Sequence, residues 1–88
     1  MRKHLIELLE QLGITITEEG LGVYIDDANT IADNIEAIEE NIAEAMTKLE
    51  NATNSEDIAS FQRELDGLVS MRNSNINELQ KLIKKATK

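Results

Sequence analysis

Apolar side chains in "IADNIEAIEENIAEAMTKLENA" (31–52) fall at Ile31, Ile35, Ile38, Ile42, Ala45, Leu49 and Ala52, in steps that alternate four and three. That spacing puts all seven on one side of an α-helix, because residues three and four apart lie one above another on its surface. No strand can use the pattern, since alternate residues of a strand point to opposite faces. The stretch contains no glycine or proline, so one helix is predicted over 26–52. Asp26 and Asp27 stand where its free N–H groups favour carboxylates. A helix with a single apolar stripe is stable only when the stripe is covered. The first question is therefore what covers it.

The partner is found in residues 55–86. Ile58, Phe61, Leu65, Leu68, Val69, Ile76, Leu79, Leu82 and Ile83 supply a second stripe. The intervening "NATNSED" is too short for anything but an antiparallel return. Thr53 and Glu56 have the spacing of a capping box, which predicts a helix start near 54–56. Setting Leu49 against Phe61 also sets Ala45 against Leu65, Ile42 against Leu68 and Ile31 against Leu79. One register thus aligns most of both stripes, small residues facing large ones. It also puts Arg72 opposite Ile38 and Asn75 opposite Ile35, in "SMRNSNINE" (70–78), a segment poor in helix formers. There the apolar track slips as in a coiled-coil stutter. Arg72 either snorkels out at this fault or belongs to a polar layer that fixes register or oligomer number. Gly67 falls inside the helix at a cost of about 1 kcal/mol relative to Ala, and an outward-facing position accounts for it most simply.

The remaining N-terminal part is read in two pieces. Residues 2–12 form a short helix with Leu5, Ile6, Leu8, Leu9 and Leu12 on one broad face, stopped by Gly13. In "ITITEEGLGVYI" (14–25) the period changes to two on either side of Glu18-Glu19-Gly20. This predicts a small β-hairpin, with an extended loop as the alternative. The fold class expected is mainly α: an antiparallel, coiled-coil-like helical hairpin, with the short helix and possible β-hairpin against one end. Eighty-eight residues allow a single domain, 1–88. Tyr24 and Phe61 are the only aromatics, so the core is aliphatic. Residues 2–12 and the stutter side (Val69, Met71, Ile76, Ile83) carry more apolar groups than one two-helix seam can cover. A homodimer, as in a four-helix bundle, is the expected remedy.

Charge is segregated. Residues 26–52 hold eight acids and one base, a net −7 out of the chain's −8. Residues 53–88 hold six bases and five acids, with Lys81, Lys84, Lys85 and Lys88 gathered at the end. In the antiparallel register those lysines lie beside Asp26 and Asp27. The middle acids have no such neighbours. Glu36, Glu40 and Glu44 are spaced by four, a like-charge row that mildly destabilises its own helix. A solvated face is one reading. The other is a strip complementary to a basic protein surface, one that itself receives nucleic acid. Asp33, Glu36, Glu40 and Glu44, with Arg72, are the candidate protein-binding residues.

Little else in the sequence carries chemistry. There is no cysteine, and His4 is the single histidine, so neither a nucleophile–base set nor a metal cluster is expected. "EEGLGVY" has neither the spacing nor the lysine of a phosphate loop. Counted from Asp27, the sixth place of a calcium loop would be Ala32, where glycine is required. No enzyme activity and no cofactor are expected. The acidic balance disfavours nucleic acid and anionic membranes as direct partners. No apolar run is long enough to span a bilayer. "MRKHLIELLEQL" is interrupted by Glu7 and Glu10, unlike a signal peptide. A cytoplasmic protein is expected, where the sequon "NAT" (51–53) has no meaning. The turn lacks the W-x-G of small secretion-system hairpins, and no family is assigned. Two functions fit. One is a non-enzymatic regulator or inhibitor that docks through its acidic helix, by analogy with small acidic proteins of phages and mobile elements. The other is a structural adaptor whose hairpin mainly mediates oligomerisation.

Overall fold

A computed structural model describes residues 1–87. The elements in order are α1 (Lys3–Gln11), α2 (Glu18–Leu21), a 3₁₀ turn (Gly22–Tyr24), α3 (Ile25–Asn51) and α4 (Ser55–Ala86). Helices α3 and α4 form the expected hairpin, joined by residues 52–54. The molecule is a rod of 52 × 20 × 20 Å with a radius of gyration of 15.8 Å. A compact chain of this length would have a radius of about 12 Å. Elongation of this degree leaves a large share of apolar surface near solvent.

The register follows the two stripes to within a turn. Phe61 shares a surface hollow with Lys48 and Asn51, and Ile31 shares another with Glu78 and Leu82. Ile35, Ile38, Ala45, Leu79 and Ile83 are buried, as their places in the stripes require. The start of α4 at Ser55 is as expected, but its cap sits one residue later than the predicted box. Asn54 is the N-cap: its Oδ1 accepts from the Asp57 N–H at 2.8 Å, and its Nδ2 donates to Asp57 Oδ2 at 3.0 Å. Asparagine caps at least as well as threonine, so the local competition goes to it.

The β-hairpin expected over 14–25 is absent; no strand occurs among the described residues. Gly13, at φ 71°, ends α1 in a Schellman motif. The Ile14 N–H donates to the Leu9 carbonyl at 2.9 Å and the Gly13 N–H to that of Glu10 at 3.1 Å. Residues 14–17 are irregular, with Ile14 and Ile16 packed on the core, so this half of the alternation is real. The second half is not. Thr17 caps a new helix instead, its Oγ1 accepting from the Gly20 N–H at 3.1 Å. Gly22 then takes φ 55°, ψ −125°, a conformation that in practice only glycine adopts. After it Val23 is 88 % exposed while Leu21 is buried, so these two do not share a face. A two-residue period written by Leu21, Val23 and Ile25 is an accident of two helical turns meeting at a glycine.

The core is concentrated at one end, the base. Leu5, Leu8 and Leu9 of α1 form one cluster with Leu21, Ala28, Ala32, Ile35, Leu79 and Ile83. The alanines let α1 approach α3 closely, and large side chains fill the space between. Along α3 beyond Ile38, only Ala45 is fully buried among the described residues. The half of the hairpin nearer the turn is a bare two-helix seam.

Candidate functional site

The acidic row is presented as its spacing requires. Glu36, Glu40 and Glu44 are all exposed on α3, on the side away from Ile35 and Ile38. Glu36 and Glu40 share one shallow surface patch with Asp33 and Ala37; Glu44 adjoins Ala43, Thr47 and Lys48. None of the three makes a salt bridge among the described residues. Lys48 stands one turn from Glu44 without pairing with it.

Asp33 has a different setting. It is half-buried and forms an ion pair with Arg2, whose own N–H donates to Asn29 Oδ1 at 3.1 Å. Both contacts tie the start of α1 to α3. Arg2 therefore answers part of the charge at this end of the strip, and the unanswered part is Glu36, Glu40 and Glu44. Arg72 lies on α4, half-buried, and lines none of this strip. Nearby, the Asn75 amide turns back on its own helix, donating to the Met71 carbonyl at 2.9 Å. The fault at 70–78 thus satisfies Asn75 locally, while no side-chain hydrogen bond or ion pair engages Arg72 among the described residues.

Two further arrangements are not evident from the sequence. His4 of α1 reaches Glu39 of α3, Nε2 to Oε1 3.2 Å, with Glu7 Oε2 3.9 Å from Nδ1. The close atoms are buried yet lack the alignment of a hydrogen bond. Only the docking of α1, which no spacing reveals, brings these residues together. The second is an open groove of about 480 Å³ at the base, on the other side of the α3–α4 seam. It has Tyr24, Ile31 and Leu82 as apolar lining and Asp27, Glu78, Lys81 and Lys85 around them. The lysines come to the Asp27 end as the register predicts, but no ion pair closes between them among the described residues.

Among the described residues every buried side chain is Leu, Ile or Ala. No described group of three or more His, Asp or Glu residues has the geometry to hold a metal ion. No helix among the described residues is long and apolar enough to cross a membrane. Comparison with protein-family models, with curated proteins and with solved structures finds no match for this chain.

Proposed function

We propose that the protein is a non-enzymatic regulator or inhibitor that docks on a basic protein surface through the outer face of α3. The observation that carries this reading is the row Glu36, Glu40 and Glu44, exposed and making no ion pair among the described residues. Held on a straight helix, three carboxylates about 6 Å apart give a preorganised strip, which a partner's Lys and Arg residues can meet without ordering a loop. Such complementarity raises association rates and makes binding salt-sensitive. A cytoplasmic setting and a phage or mobile-element origin belong to the same reading.

The second reading, a structural adaptor, is favoured by a separate observation: Met46, Ile58, Val69 and Met71 are exposed on the bare half of the hairpin. The two separate by salt and by site. Capture of a basic partner, followed by titration against it, should weaken at least tenfold in Glu40→Lys/Glu44→Lys and weaken as salt rises. Binding that survives both changes but fails in Met46→Lys would favour the adaptor.

A further inference from the structure

We draw no further inference here: the strongest candidate, the apolar face of the hairpin toward its turn, on which Met46 and Val69 are exposed, carries none because nothing in the structure shows what covers it.

Discussion

At Gly67 a Cβ would meet nothing within 4 Å, and the position is exposed in the middle of α4. The outward-facing position anticipated from the sequence is the one observed. Gly67→Ala should therefore raise stability by about 0.5–1 kcal/mol, chiefly by narrowing the unfolded ensemble. Thermal unfolding should show this as a rise of about 2–8 °C. Gly22 gives the opposite expectation, because its space is open but its φ of 55° is not one an L side chain adopts readily. Gly22→Ala should lower stability by about 1 kcal/mol or more. The cap before α4 offers a third residue-scale check. Asn54→Ala should cost about 1 kcal/mol in denaturant unfolding, whereas Thr53→Ala, which removes no cap, should cost a few tenths. The box predicted at Thr53 and Glu56 overlaps the cap observed at Asn54 and Asp57, one residue on. Only the backbone angles decide it: Asn54, at φ −120° and ψ 157°, is the last extended residue before the helix.

At the scale of elements, α3 and α4 were legible because their stripes run over several turns and constrain each other. A single register satisfies both, and the buried Ile35, Ile38, Ala45, Leu79 and Ile83 lie where it puts them. Residues 14–25 were not legible, since four or five alternating positions cannot distinguish a strand from an extended link that leads into a capped turn. The Thr17 hydroxyl and the positive φ of Gly22 settle that segment, and neither is a periodic signal. The packing of α1 explains why a nine-residue helix, marginal alone, is retained: three leucines enter the core, and Arg2 and His4 reach Asp33 and Glu39. Leu8→Ala should thus cost about 2–5 kcal/mol, a large fraction of what a chain of this size has. Arg2→Ala, which breaks a largely exposed pair, should cost less than about 1 kcal/mol. Chemical denaturation of the two variants side by side separates the apolar seat from the ionic ties.

Over the whole molecule, order and exposure are distributed unequally: a three-sided aliphatic core at the base, a two-helix seam toward the turn, and a negative outer face along α3. The net charge of −8 acts differently on the two kinds of association. Binding to a basic partner should weaken as salt rises. On the adaptor reading, association through the exposed Met46 and Val69 should hold or tighten, because salt screens repulsion between like charges. The acidic face was legible in the sequence as a run of charge; that Arg2 answers Asp33, leaving Glu36, Glu40 and Glu44, required the docked α1. The most direct test of this division is amide hydrogen exchange followed residue by residue. Amides of 28–38 and 76–83 should be the most protected and those of 43–65 markedly less so. Uniform protection along both helices would contradict the one-sided core.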